Sequence, residues 1–306
     1  MVENSQSAPI IVFVYNRLQH VEKMIENLVQ CELASSSDLY IYSDGAKSEK
    51  DEIAVHQVRE FCKTISGFRS LNIIQHDKNL GLAANIIDGV TEVVNRHGTV
   101  IVMEDDLIVH HQFLIYMNNC LDKFKDNAGI WHISGWNYPI DESGLPDIFL
   151  TRIMNCWGWA TWKDRWVNFE KNSETLVKIF DKKMINEFDV ENSGVFWSQV
   201  IGNLTGRINT WAIFWYATIY LNKGLCVNPK ISLVTNIGHD GSGTHKSQAE
   251  NIYSPILRTQ DINHWNYEIG EIENQIAYKR IQGFYKNLKP RITTRILNKM
   301  KKILGV

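Results

Sequence analysis

Residues 100–113 read VIVMEDDLIVHHQF, a run of apolar residues that ends on three consecutive acids, Glu104, Asp105 and Asp106. Together with Thr99 the apolar part has the composition of a β-strand buried on both faces, as in a parallel sheet. Carboxylates crowded at its end repel one another and raise each other's pKa unless solvent, hydrogen-bond donors or a cation compensates them. A solvated turn is the plainest source of such a cluster, because Asp favours turns and helix N-caps. The buried strand in front of it argues for more, because open α/β sheets bind ligands at the carboxyl ends of their strands.

Working outward from this stretch, residues 10 to about 110 alternate β-like runs with helical patterns. IIVFVY is followed by a helical pattern over 18–30, LYIYS by one over 50–65, and LNIIQH by one over 82–96, before TVIVM. Such a βαβ series predicts a parallel sheet. The strands run out into YNR, SDG, HDKN and EDD, so polar residues gather along one edge of that sheet.

Length and charge narrow the function classes. At 306 residues the chain is long enough for one large α/β domain or two modest ones. A formal net charge of −2 gives no global attraction to nucleic acid. The cysteines, Cys31, Cys62, Cys120, Cys156 and Cys226, are scattered, with no C-x-x-C pair for zinc or dithiol chemistry, and fit a reducing cytoplasm. The start, MVENSQSAP, lacks the basic and apolar regions of a signal peptide, and WAIFWYATIYL is too short to cross a bilayer.

The second half is less regular and reads as an appended half outside the βαβ series. It holds most of the ten tryptophans, in NCWGWATWKDRW and INTWAIFWYA, followed by a glycine-rich NIGHDGSGTH. Core packing accounts for most of these rings. Trp157 and Trp159, flanking Gly158 in a loop-like context, are candidates for stacking on a sugar.

VYNR, SDGAK, KNLGLAANI, MEDDL with Phe113 beyond it, WGWATW and NIGHDGSGTH together resemble, in order and spacing, the GT-A glycosyltransferases. Bacterial family 2-like enzymes and the animal N-acetylglucosaminyltransferase I group are the members resembled. The likeness implies an α/β fold with a Rossmann-like mixed sheet flanked by helices. Residues 1–110 would form the nucleotide-sugar half, 111–260 the acceptor and catalytic half of the same domain, and 261–306 a C-terminal helical extension. It implies a nucleotide-sugar donor, first of all a UDP-sugar, a glycan acceptor, and Mn2+ or Mg2+. By carry-over Asp106 touches the metal, Asp105 faces the ribose and Glu104 lies near the donor sugar. Tyr15, Arg17, Asp44, Asn79 and Gly81 match the nucleotide-contacting positions, with Asp44 placed to accept the imide N–H of uracil. His245 matches a late histidine brought to the metal.

One departure concerns the general base. Where many relatives carry W-D-Y-Q-W, this chain reads WAIFW with Ala212, which cannot accept a proton. Asp240, on the glycine-containing loop, is the first substitute, and Asp164 competes with it. Two alternatives stand beside the transferase: a metal-dependent phosphohydrolase or nucleotidyltransferase, which would need a second metal cluster, and a non-catalytic carbohydrate- or nucleotide-binding relative, for which Ala212 speaks.

Residues 287–306, NLKPRITTRILNKMKKILGV, carry six Lys or Arg and no acid, with Ile292, Ile296, Met300, Ile303 and Leu304 at helical spacing. That pattern is expected of a helix lying on an anionic membrane surface. It suggests a peripheral enzyme at the inner face of the cell membrane, a polyprenyl-linked acceptor and a role in bacterial surface polysaccharide synthesis. Self-association is left open.

Overall fold

The computed structural model describes residues 7–240, 252–253, 257–258, 261–262 and 265–288. The first half follows the predicted alternation: β1 (Ile10–Val14), α1 (Leu18–Leu28), β2 (Asp38–Ser43), α2 (Glu49–Cys62), β3 (Ser70–Gln75), α3 (Leu82–His97) and β4 (Thr99–Glu104). A short strand, β5 (Leu107–Val109), and α4 (Phe113–Phe124) come next. Then come β6 (Ile130–Ser134), β7 (Ile148–Thr151), β8 (Trp159–Trp162) and the short helices α5 (Lys163–Trp166), α6 (Ser173–Ile179), α7 (Lys182–Phe188) and α8 (Trp197–Leu204). The chain continues through α9 (Ala212–Leu221), β9 (Leu225–Pro229), β10 (Val234–Asn236) and α10 (Gln275–Leu288).

Eight strands form one mixed sheet in the order β3-β2-β1-β4-β8-β6-β9-β7. The pairs among β3, β2, β1 and β4 are parallel, as the βαβ series predicts. The second half joins that sheet and makes it mixed, as the resemblance implies: β8 pairs antiparallel with β4 and carries β6, β9 and β7 into the same sheet. The periodicity of short strands scattered among tryptophan-rich segments could not show this, because pairing is set by partners remote in sequence.

Helices cover the sheet through apolar stripes. In α3 the buried residues Ala83, Ile86, Val90, Val93 and Val94 recur at helical spacing, while Arg96 and His97 in the last turn complement the helix dipole. The helix α9 is apolar all round and is buried from Ile213 to Ile219, as its composition predicts. Among the described residues no helix is long and apolar enough to cross a membrane. From Lys289 onward the basic tail lies outside the described residues.

Trp159 does not stand in a loop. It opens β8, is 1% exposed, and is stacked on His132 at 5.3 Å and on Trp211 at 5.2 Å. Its sugar-stacking expectation is therefore corrected to a core role: an indole enclosed by other rings offers no face to a ligand.

Candidate active site

The site grows from the register of β1 against β4. Phe13 lies beside Glu104, so the residues after β1, Tyr15 to Arg17, emerge next to Asp105 and Asp106. Arg17 uses that position to bind both aspartates. Its Nη2 donates to Asp105 Oδ1 and, at 2.9 Å, to Asp106 Oδ2, while Nε lies 3.4 Å from Asp105 Oδ2. Sequence reading placed Arg17 on the nucleotide; in this structure its partners are the acids.

The antiparallel pair β5 and β10 brings a second segment over the triplet, with Asn236 opposite Leu107. Asn236 Nδ2 donates to Asp106 Oδ1 at 3.2 Å, and Ile237 N donates to the Asp106 carbonyl at 2.9 Å. Gly238 is then pressed against the acids: a Cβ there would stand 2.2 Å from Asp106 Oδ2 and 3.0 Å from Arg17 Nη1. Only a residue without a side chain allows this approach. Asp240 follows two residues after Gly238, with Oδ2 3.3 Å from His20 Nε2. His245 lies outside the described residues.

One guanidinium does not balance three carboxylates. Burial, reinforced by the charges of Asp106 and Asp105 and opposed by Arg17, pushes the half-buried Glu104 carboxyl up to about 8. Burial also raises Asp105 to about 6, against the pull of Arg17 and with the charge of Asp106 adding. At an effective dielectric near 20, two unit charges 4 Å apart interact by about 4 kcal/mol, so an added cation would be strongly favoured here. Among the described residues nothing donates a hydrogen bond to the Glu104 carboxylate, and no three His, Cys, Asp or Glu side chains form a ready-made ligand set. Such a donor set suits a cation like Mn2+ or Mg2+, held by one or two carboxylates with the remainder supplied by phosphate and water.

A residue the sequence reading passed over completes this side. His239, half-buried, meets the Trp157 ring edge to face at 5.8 Å, and its Nε2 is buried without a hydrogen-bond partner among the described residues. Buried nitrogens are rarely left so. Trp157, also half-buried, packs against Trp136 at 5.3 Å. The signal for His239 is its place in NIGHDGSGTH, the same segment that carries His245.

Asp44, expected on the nucleotide, has a different role in this structure. Its Oδ1 accepts from the backbone N–H groups of Gly45 and Leu80, and its Oδ2 from Gly81 N and Asn79 Nδ2. A carboxylate has about four acceptor positions, and the chain itself fills them, which leaves none for a uracil imide. Gly45 permits the close approach, since a Cβ there would meet the Lys78 carbonyl carbon at 2.4 Å. Asn79 and Gly81 thus sit beside Asp44, as their order in the sequence implies, but as its donors. Arg59, unnoticed in the sequence, ties the same loops through Ser43 Oγ, the Asp44 carbonyl and, at 2.7 Å, the His76 carbonyl. Tyr15 accepts from Lys47 N at 3.0 Å and braces the loop after β2.

Asp164 is not brought to the site. Trp162 pairs with Thr99, and Lys163 N donates to the Gly98 carbonyl, so Asp164 lies where β4 begins. The triplet lies where β4 ends, roughly 17 Å of strand away. Its expected role as base is corrected accordingly. Two open cavities, of about 340 Å³ beside Lys171 and Phe214 and about 200 Å³ beside Asn172 and Leu221, involve none of these residues.

No family model matches the chain, and no curated protein does. Among solved structures, a mannosyltransferase, PcManGT from Pyrobaculum calidifontis, in complex with GDP-Man and Mn2+, aligns at 11% identity and a TM-score of 0.41 over 71% of this chain and 69% of that one. S. aureus TarS aligns at 12% identity and a TM-score of 0.32, over 46% of this chain and 23% of that one.

Proposed function

We propose that the protein is a GT-A-type glycosyltransferase that moves a sugar from a nucleotide-sugar donor to an acceptor hydroxyl with the help of Mn2+ or Mg2+. The observation that carries this reading is the under-compensated carboxylate triplet at the end of the central strand, covered by a glycine segment and met by a single guanidinium. Asp106, with Asp105 and with His239 from the segment that covers it, would hold the cation, whose charge would stabilise the leaving diphosphate. Arg17 would bind the diphosphate and the Asp44-braced turn at 79–81 would seat the nucleoside. Glu104 would face the donor sugar, Trp157 would stack on a sugar ring, and Asp240 would take the acceptor's proton as His20 orients it.

A UDP-sugar remains the donor placed first, with Asp44 acting through the turn it braces. A polyprenyl-linked glycan acceptor at the inner membrane face, within surface polysaccharide synthesis, is supported by the basic amphipathic pattern of residues 287–306. A phosphohydrolase or nucleotidyltransferase reading would need a second metal cluster from another strand. The test is a thermal-shift panel of nucleotide sugars with and without Mn2+. One donor should shift the wild-type protein in a metal-dependent way, and Asp106→Ala should lose both that shift and at least about 10²-fold in transfer rate. Full turnover in Asp106→Ala would refute the assignment, and donor binding without any turnover would favour a non-catalytic relative.

A further inference from the structure

We propose that Arg17 is the resident cation of the acidic site, and that its displacement couples binding of a divalent cation to binding of the donor's diphosphate. This rests on the metal-dependent transferase reading and deepens it. The same guanidinium occupies both candidate ligands, Asp105 and Asp106, with the Asp106 contact at 2.9 Å. Asn236 takes the other Asp106 oxygen, so in this state both oxygens are engaged. A divalent cation at Asp106 and the Arg17 head therefore compete for one carboxylate.

The displaced head has a short path and a defined destination. The Arg17 carbonyl accepts from His20 N at 3.0 Å and Val21 N at 3.1 Å, which anchors the backbone at the start of α1. The side chain is 19% exposed, so its head is not wholly enclosed by protein. Gly238 covers the Arg17–Asp106 contact without blocking it by a side chain. A guanidinium fork leaving a carboxylate is best satisfied by another planar or tetrahedral oxyanion, and a diphosphate bound at this edge supplies one within reach. Diphosphate would thus draw Arg17 off Asp106 and make room for the cation, while the cation would free Arg17 for diphosphate. Linkage requires the two effects to be equal.

The experiment titrates Mn2+ into wild type and Arg17→Gln, followed by the paramagnetic resonance signal of free Mn2+, first alone and then with UDP. Without nucleotide, Arg17→Gln should bind Mn2+ at least tenfold more tightly than wild type, because the competing charge is gone. UDP should tighten Mn2+ binding at least tenfold more in wild type than in the variant; chelation of Mn2+ by free UDP is common to both and drops out of the comparison. Arg17→Lys, which keeps a charge but loses the fork, should fall between them, and it serves if Arg17→Gln does not fold. Equal or weaker Mn2+ binding by a folded Arg17→Gln overturns the proposal while leaving the metal reading intact. If wild type and both variants bind no Mn2+ with or without UDP, the metal reading falls and this proposal with it.

Discussion

Asp44 and Asp106 both follow strands that flank β1, at the same edge of one sheet, yet they are treated in opposite ways. Asp44 is buried and receives four hydrogen bonds from its own chain. Asp106 receives a side-chain amide and an arginine, and its neighbour Glu104 receives nothing from the described residues. A carboxylate whose acceptors are filled by backbone N–H groups holds loops in place. One met, among the described residues, only by the side chains of Arg17 and Asn236 is available to a ligand that can replace them.

The comparison breaks most visibly through stability. Asp44→Ala leaves the N–H groups of Gly45, Leu80 and Gly81 without their acceptor, and each orphaned buried donor costs about 1–3 kcal/mol. Water reaches the exposed Leu80, so the total loss expected in urea unfolding is about 3 kcal/mol. Asp106→Ala should lose less than about 1 kcal/mol, because Arg17 keeps Asp105 and like-charge repulsion is relieved. The reverse order would show that the triplet, not the turn, is the structural element.

Gly238→Ala sharpens the other side. The added methyl would fall 2.2 Å from Asp106 Oδ2, so either the 236–240 segment lifts or Asp106 turns away. A displacement near 1 Å in such a site can cost roughly 10² in rate, and that is the loss expected in transfer, with unfolding changed by under about 1 kcal/mol. Unchanged Mn2+ and donor binding in this variant would mean that the covering segment plays no part in the site.

What could be read in advance follows the range of the forces involved. The alternation of β-like and helical patterns is local, so β1 to β4 and their helices lie where residues 10–104 indicate. The joining of β8 to β4 and the enclosure of Trp159 by His132 and Trp211 depend on residues tens of positions away, which periodicity does not encode. At the site, Arg17 meets Asp105 and Asp106, and Asn79 meets Asp44, as two separate groups that residue order alone does not define. Hydrogen-bond saturation was invisible: nothing in SDG announces that Leu80 and Gly81 fill the Asp44 carboxylate.

The same distinction separates two histidines. His132 is buried and satisfied, accepting from Trp215 Nε1 at Nδ1 and donating from Nε2 to the Asn155 carbonyl, whereas His239 Nε2 has no partner among the described residues. Burial, only partly opposed by the Asn155 bond, lowers His132 from the usual 6.5 to about 3. Between those values the unfolded chain binds the proton and the folded chain does not, so stability is intact above about pH 6.5 and falls as pH drops toward 3. The slope contributed is at most about 1.4 kcal/mol per pH unit. His132→Gln should remove that contribution from a series of unfolding curves; an unaltered acid dependence would show that His132 is not its source.

The smallest effect is expected at Asp164, and it tests the comparison by lying outside it. Its side chain is 68% exposed and pairs only with the adjacent Arg165 among the described residues. Arg165 holds its place without it, through the carbonyls of Lys125, Asn127 and Ile130 and the Trp162 ring 4.9 Å away. An exposed ion pair contributes about 0–1 kcal/mol, so Asp164→Asn should shift stability by less than that. Its effect on transfer should be smaller still, since a general base must come within about 3 Å of the proton it accepts and this carboxylate sits at the far end of β4. Asp240→Asn, in contrast, should slow transfer by about 10²–10⁴-fold with donor affinity kept, because the amide preserves shape and loses basicity. Measured side by side at saturating donor, the two variants separate position from residue type: both replace Asp by Asn in the second half of the chain. A tenfold or greater loss in Asp164→Asn, with Asp240→Asn near wild type, would mean that chemistry occurs at the opposite edge of the sheet from the triplet.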